Sequence, residues 1–359
     1  MKFAHYPPQV QEKLVIARYE TLRRTVALAN EHKCHIFLIA GDLFDNHQVS
    51  VKDVHTTAEM LNQFEGSLVA ILPGNHDYIQ PSSELWSRFQ SKAGPNILML
   101  DKAIPHDLRK YGFDIVLYPA PCTSRISSEN AIGWIRTFPK LPEIALHIGV
   151  SHGSIKGISP DFNDQYYPMT QEELQSLGLH LWLMGHTHVR YPDVEEGSDK
   201  SILFPSTPEP DGFDRIHPGY AWIVDIENDN IVKYHSIQTG KHRFFDWQMV
   251  LSVEDDLETV ESQFKKLKSD ISLVRLRLTG CLPGDCLEKL YALRETLENN
   301  VLLLRFDHSD LHQAVTDKDI DKEFTKDSFP HRLLKTLVEG NADPVVVQTA
   351  YDLIKEAKQ

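Results

Sequence analysis

The spacing of apolar positions changes period several times along the chain. From Val10 to about Lys33, Leu14, Ala17, Leu22, Val26 and Ala29 recur every three or four residues, which predicts a helix. Ahead of it, Met1 to His5 reads as a very short strand, broken by Tyr6-Pro7-Pro8 because proline removes a donor and fixes φ. His35 to Ala40 is a short apolar run stopped by Gly41-Asp42, the pattern of a buried strand. Val51 to Phe64 returns to helical spacing, with Val54, Ala58 and Leu61 on one side, and Leu68 to Leu72 is another buried strand. Strand, helix, strand, helix, strand in this order favours a layered α/β fold with a parallel segment in its sheet.

The middle of the chain is richer in strands. Ile97 to Leu100, Ile115 to Tyr118, Ile144 to Val150 and Leu181 to Met184 are apolar runs, with a short helix from Glu172 to Leu177 before the last of them. Ile202 to Phe204, Tyr220 to Ile226 and Ile231 to Ile237 follow, separated by turns rich in Asp, Gly, Pro and Asn. This run predicts a second, partly antiparallel sheet packed on the first. Near Thr239-Gly240-Lys241 the character changes. Leu257 to Lys268 reads as a helix, Leu273 to Leu278 as a strand with Arg275 and Arg277 on its polar face, Cys286 to Asn299 as a helix and Val301 to Phe306 as a strand. Phe329 to Lys358 closes the chain with two helices parted near Asp343-Pro344. The expected architecture is a two-sheet layered α/β sandwich over residues 1–240, followed by a small α+β domain with C-terminal helices over 241–359.

Bulk properties narrow this picture only a little. With 359 residues, two domains is the natural prior. A formal charge of −14 argues against strong non-specific binding of nucleic acid by this chain alone, because phosphates are met by Lys and Arg. The four cysteines, Cys34, Cys122, Cys281 and Cys286, show no zinc-site spacing and no disulfide framework, which suits a reducing compartment. No run approaches the ~18 apolar residues of a membrane span, and no signal-peptide pattern follows Met1. A cytoplasmic protein with no membrane association is expected.

The chemistry gathers where strands stop. Asp42 follows the first buried strand, Asn75-His76-Asp77 the second, His152 the third, and His186-Thr187-His188 the fourth, each beside a glycine. In open α/β sheets ligands bind at the carboxyl ends of strands. Asp, Asn and His are oxygen and nitrogen donors suited to borderline divalent metals. Alone, Asp42 or Asn75 is explained by a turn and His152 by a surface or core position, while the His186-x-His188 pair is evenly balanced between ligand and ordinary residues. Four such strand ends together point to a metal centre held by Asp42, Asn75, His152, His186 and His188. On a continuing strand, His186 and His188 would share one face about 7 Å apart. His76 follows a ligand and is placed to act as a general acid, with Asp77 orienting its ring. Asp45 reads as a structural loop carboxylate. Arg275 and Arg277 either meet phosphates or form an exposed sheet face.

Gly41-Asp42-x-x-Asp45, Gly74-Asn75-His76-Asp77, Ser151-His152-Gly153 and Gly185-His186-x-His188 resemble the signature blocks of calcineurin-like metallophosphoesterases. Ile39 to Asp45 and Ser206-Thr207-Pro208-Glu209-Pro210-Asp211 resemble, within that superfamily, the bacterial Mre11/SbcD-type DNA repair exonucleases. The likeness covers residues 1–240 well and the remainder loosely. It implies a metal-dependent phosphodiesterase acting on DNA ends in DNA repair, with Mn²⁺ or another divalent metal as cofactor. It also implies a homodimer, a coiled-coil ATPase of the Rad50/SbcC kind as partner, and a capping role for the C-terminal domain. Of the two metals such enzymes hold, one would be bound by Asp42, Asn75, His152 and His186. The other would need Asp42, His188 and an Asp-x-His or Asp-x-Gln block after the first strand. Here His5 runs straight into Tyr6-Pro7-Pro8, so one site is complete and the other half-built, and His5, the candidate to fill in, sits too early on the strand. Two other readings follow: a pseudonuclease that scaffolds the ATPase, and a phosphodiesterase acting on small phosphodiesters.

Overall fold

The structure is a computed structural model of the chain, and it describes residues 3–138, 146–161, 163–226, 232–340 and 342–357. Contacts divide the chain into two compact units, Met1–Asp211 with His217–Lys241, and Gly212–Ile216 with His242–Gln359.

The first unit runs α1 (Pro8–Glu31), β1 (Ile36–Ala40), α2 (Val51–Leu61), β2 (Leu68–Leu72), α3 (Leu85–Gln90), β3 (Ile97–Met99), β4 (His106–Asp107), β5 (Ile115–Ala120) and β6 (Leu146–His152). It continues α4 (Gln171–Ser176), β7 (Leu181–Gly185), β8 (Arg190–Tyr191), β9 (Glu196–Gly197), β10 (Ile202–Pro205), β11 (Tyr220–Ile226) and β12 (Val232–Gln238). β1, β2 and β3 form a parallel sheet in that order. A second sheet has the order β4-β5-β6-β7-β10-β8, parallel from β5 to β10 with antiparallel margins. β11, β12 and β9 make a third, antiparallel sheet.

The two-residue period of the strands explains the layers. On β2, Leu68, Ala70 and Leu72 join Leu117, Ile148, Val150, Leu181 and Leu203 of the second sheet in one core. Val69 and Ile71 turn the other way, onto Val54, Ala58, Leu61 and Phe89 of the covering helices. The second sheet repeats the scheme: Tyr118, Trp182 and Met184 face outward into a cluster with Ile135, Leu174 and Leu177. All five residues of β2 are buried. Truncating one, as in Ile71→Ala, is expected to cost about 2–5 kcal/mol because the close-packed site cannot collapse around the void. The result is a mixed α/β sandwich of helices, sheet, sheet and helix. Local signals start the helices. Pro8 occupies the first position of α1, where its missing N–H costs nothing. Ser50 caps α2 by accepting the Asp53 N–H at 3.1 Å, and Thr170 with Glu173 forms a capping box on α4.

The strand expected at Met1 to His5 is corrected for the described part of that stretch. Residues 3–6 form a turn in which the Tyr6 N–H donates to the Phe3 carbonyl at 3.0 Å, with Phe3 at φ 69°. Pro7 and Pro8 begin α1 directly afterwards, leaving no length for a ladder, and Phe3 and Tyr6 are buried against the unit. Met1 and Lys2 lie outside the described residues, as do Ile144 and Ala145 of the strand that continues as β6, and Ile231 of the one that continues as β12.

The second unit runs β13 (Arg243–Leu251), α5 (Asp255–Lys265), β14 (Ser272–Leu282), α6 (Gly284–Asn299), β15 (Leu303–Gln313), α7 (Asp317–Glu323), α8 (Phe329–Glu339) and α9 (Pro344–Ala357). Its three strands are parallel in the order β13-β14-β15, so it is βαβαβ where the sequence suggested αβαβ. Val274, Leu276 and Leu278 pack against Leu257, Val260 and Phe264 of α5 and Leu290 and Leu297 of α6. Arg275 and Arg277 lie on the opposite face, where one carboxylate engages both. Arg275 donates Nε to Asp246 Oδ1 at 2.9 Å and Nη2 to Oδ2 at 2.6 Å, and Arg277 Nη2 reaches the same group at 3.3 Å. Arg275 and Arg305 each also stand 5.2 Å from the Phe213 ring. This basic face is therefore tied into the sheet. Among the described residues no helix is long and apolar enough to cross a membrane.

Candidate metal centre

The carboxyl ends of β1, β2, β6 and β7 meet where the β1-β2-β3 sheet faces the six-stranded sheet. Asp42 follows β1, Asn75 follows β2, His152 ends β6 and His186 follows β7. The β6–β7 register sets His152 against Gly185, which brings His186 next to it. The ligand atoms of Asp42, His152 and His186 all lie within 4.8 Å of one another. Asn75 Oδ1 sits 3.0 Å from His152 Nε2 and 3.3 Å from His186 Nδ1, and Asp42 Oδ2 is 3.2 Å from His152 Nε2.

The backbone is bent to make this possible. Asp42 has φ 55° and His186 φ 89°, left-handed values that cost a non-glycine residue about 1–3 kcal/mol and persist only where surroundings enforce them. Gly41, at φ 92°, lies so close to His152 that a Cβ there would overlap the imidazole. A Cβ on Gly74 would likewise strike the Asp42 carboxylate. The glycines beside the ligands are what let the strand ends close on one point.

Each donor is also held from behind. His152 Nδ1 is 2.7 Å from the Ala40 carbonyl, so that nitrogen carries the proton and donates it, and Nε2 faces Asp42 and Asn75. The Asn75 amide donates to the Arg125 carbonyl at 3.1 Å, which turns its oxygen inward. The Tyr166 ring rests on His186 at 4.9 Å. Burial alone would raise the Asp42 carboxyl, but His152 and the His76 N–H, donated at 2.9 Å, hold it well below the usual range. Burial would lower His152, but Asp42 outweighs it and raises the ring. His186 is pushed down to about 3 by burial and by His152 beside it, so its lone pair is free at neutral pH. A carboxylate, a carbonyl oxygen and two imidazoles converge here, Asn75 and His152 buried and Asp42 and His186 half-buried, and suit a divalent cation.

Residues 15–190 match the family of calcineurin-like phosphoesterases. The chain carries a calcineurin-like metallophosphoesterase domain. Over 299 residues it is 25% identical to an uncharacterized metallophosphoesterase, YhaO of Bacillus subtilis strain 168, spanning 79% of this chain and 69% of that protein. Such phosphoesterases depend on divalent metals, and in this domain Asp42, His152 and His186 form a group that could hold one, with Asn75 Oδ1 beside them.

Other residues singled out by sequence stand differently. His188 is not part of the cluster. β7 stops at Gly185, so the strand period no longer sets its direction, and its Nδ1 lies 3.2 Å from Asp211 Oδ2 with the side chain 40% exposed. The His5 ring lies tilted against Tyr6, with centroids 4.2 Å apart. His76 adjoins the centre through its N–H on Asp42, and its ring Nδ1 lies 2.9 Å from the Asp45 carbonyl. Asp77 does not orient that ring, contrary to expectation. Its fully buried carboxylate accepts the Gly74 N–H at 2.7 Å and the Phe44 N–H at 3.0 Å, tying the two ligand loops of the metallophosphoesterase domain together. Burial, then the charge of Asp42, pushes Asp77 up to about 7. The backbone of Asp45 takes over the orienting role.

Proposed function

We propose that this metallophosphoesterase domain hydrolyses phosphodiesters, with DNA ends as its substrate class and Mn²⁺ as its working metal. The observation that carries the reading is the convergence of Asp42, Asn75, His152 and His186 on one point, with His76 beside it. A divalent cation bound there supplies Lewis-acid charge and lowers the pKa of water. The residues of the chain do the rest. Asp42 and Asn75 bring oxygen donors, while His152 and His186 bring nitrogen donors whose rings are already aimed. His76, whose Nδ1–H donates to the Asp45 carbonyl, would act as the acid in its doubly protonated form, giving the Nε2 proton to the departing ester oxygen. Phe329, Leu333 and Leu353, exposed on α8 and α9, support docking of the C-terminal helices on a coiled-coil ATPase.

Two other readings have an observation behind them. The tie of Arg275 and Arg277 to Asp246, with the net charge of −14, favours a small phosphodiester over DNA. The placement of His188 on Asp211, away from the cluster, favours a pseudonuclease. One experiment separates the three: cleavage of an end-labelled DNA duplex and of bis(p-nitrophenyl) phosphate by the full chain in Mn²⁺, beside His152→Ala. Hydrolysis of both, abolished in the variant, is the expected result. Hydrolysis of the small ester alone removes DNA, and hydrolysis of neither leaves the scaffold.

A further inference from the structure

The Asp45 carbonyl that takes the His76 ring sits in a loop with an anchor on each side. On the near side, Phe44 donates its N–H to buried Asp77 at 3.0 Å and packs its ring edge-on against Trp86 and Phe89. On the far side, two residues past Asp45, His47 Nδ1 lies 2.8 Å from Ser83 Oγ, and its ring stands edge-on to Tyr78 with centroids 4.5 Å apart. Ser83 is itself held: its hydroxyl oxygen accepts the Leu85 N–H at 3.2 Å, and its own N–H donates to the Gln80 carbonyl at 3.0 Å. Asn46 Oδ1 accepts the Gln48 N–H at 2.7 Å, which closes a turn around His47. Resting on the reading of His76 as the general acid, we propose that His47 is the positioning residue for that acid: by clasping Ser83 and Tyr78 it fixes the Asp45 carbonyl, and the carbonyl fixes the direction of the His76 ring.

Two observations set His47 apart from a residue that only fills space. Tyr78 and Ser83 belong to the same segment as His76, so the clasp joins the loop that carries the carbonyl to the segment that carries the ring. Sliding of one against the other is what it resists. His47 Nε2, in turn, is buried and meets no partner among the described residues. A buried polar atom without a partner costs stability that an apolar side chain in the same space would avoid. The imidazole is therefore a poor choice for packing alone and a good one for a hydrogen bond made through Nδ1. Burial pushes His47 below the usual histidine range, so the clasp is made by a neutral ring. Proton delivery depends steeply on placement: a misplacement of about 1 Å can cost about 10²-fold in rate.

The test is hydrolysis, by the full chain in Mn²⁺, of two esters that differ in their leaving group: bis(p-nitrophenyl) phosphate and diphenyl phosphate. The plain phenolate is the stronger base and needs the acid's proton more. The proteins are the wild type, His47→Leu, His47→Asn, Ser83→Ala, His76→Ala and His47→Leu/His76→Ala, each with metal content and thermal unfolding measured. His47→Leu should lose about tenfold on diphenyl phosphate and much less on the nitrophenyl ester, at unchanged metal content, and Ser83→Ala should show the same selective loss. His47→Asn, whose amide places a polar atom where Nδ1 stood, should recover most of it. In the His76→Ala background His47→Leu should cost nothing further, because no acid is left to position. Equal losses on the two esters, loss of metal, or a full additional loss in the double variant would make His47 structural only and overturn the proposal, as would no loss at all. Hydrolysis by the wild type with no leaving-group selectivity in His76→Ala removes the acid role of His76 and this inference with it. Hydrolysis of neither ester removes the phosphodiesterase reading itself, and the inference falls too. Should His47→Leu fail to fold, Ser83→Ala and its combination with His76→Ala decide by the same criteria.

Discussion

His152 and His188 are both histidines at the end of the same sandwich, yet they are held in different ways. His152 ends β6, is 2% exposed, donates through Nδ1 to the Ala40 carbonyl and presents Nε2 to Asp42 and Asn75. His188 lies three residues beyond β7, has a side chain 40% exposed against 1% for that of His152, and meets one carboxylate, Asp211. The difference shows what readies a ligand-type residue for a metal. A donor atom is useful when the far side of its ring is tied to something rigid, which sets the tautomer and removes the entropy of aiming. β1 and β2 provide that rigidity through Ala40 and the Gly74-Asn75 turn; the segment after Gly185 provides it for His186 and no further.

This contrast orders the expected effects of substitution. His152→Ala should empty the centre and lower phosphodiesterase activity by at least about 10³-fold, beyond the loss of a single electrostatic contact. His76→Ala should lower activity by about 10²-fold at unchanged metal content, because the proposed general acid is lost and no ligand is. A protein that loses its metal on this change would make His76 a ligand. Tyr166→Ala should weaken metal binding by about tenfold, read in a competition titration, since it removes the packing behind His186 but no donor. His188→Ala should change metal affinity by less than about twofold, within the range of surface substitutions. An effect as large as that of His152→Ala would erase the distinction between the two histidines.

Much of this was legible before the fold was known, and the physical reason is period. Leu68 to Leu72 and Leu181 to Met184 are apolar on both faces because both faces are covered, which marks them as central strands and their ends as the place for chemistry. The cluster of Asp42, His152 and His186 could be anticipated because side-chain donors have a sequence signature. The carbonyls of Ala40, Asp45 and Arg125, which aim His152, His76 and Asn75, have none: every residue owns a carbonyl. The role given to Asp77 went to Asp45 for this reason. β13 escaped notice because the adjacent Phe244 and Phe245 mask its alternation, although Phe245, Trp247 and Met249 face one core. Tyr166 comes from a loop nineteen positions before Gly185, and no spacing links it to His186.

Metal content of the dialysed full chain, compared between the wild type and His186→Ala after loading with Mn²⁺, reads the tetrad itself. The expected result is about one tightly held equivalent in the wild type and none in His186→Ala, because a four-ligand set that loses one donor does not regain its affinity from solvent. Retention of the same equivalent in the folded variant would contradict the assignment of Asp42, Asn75, His152 and His186 as the metal centre.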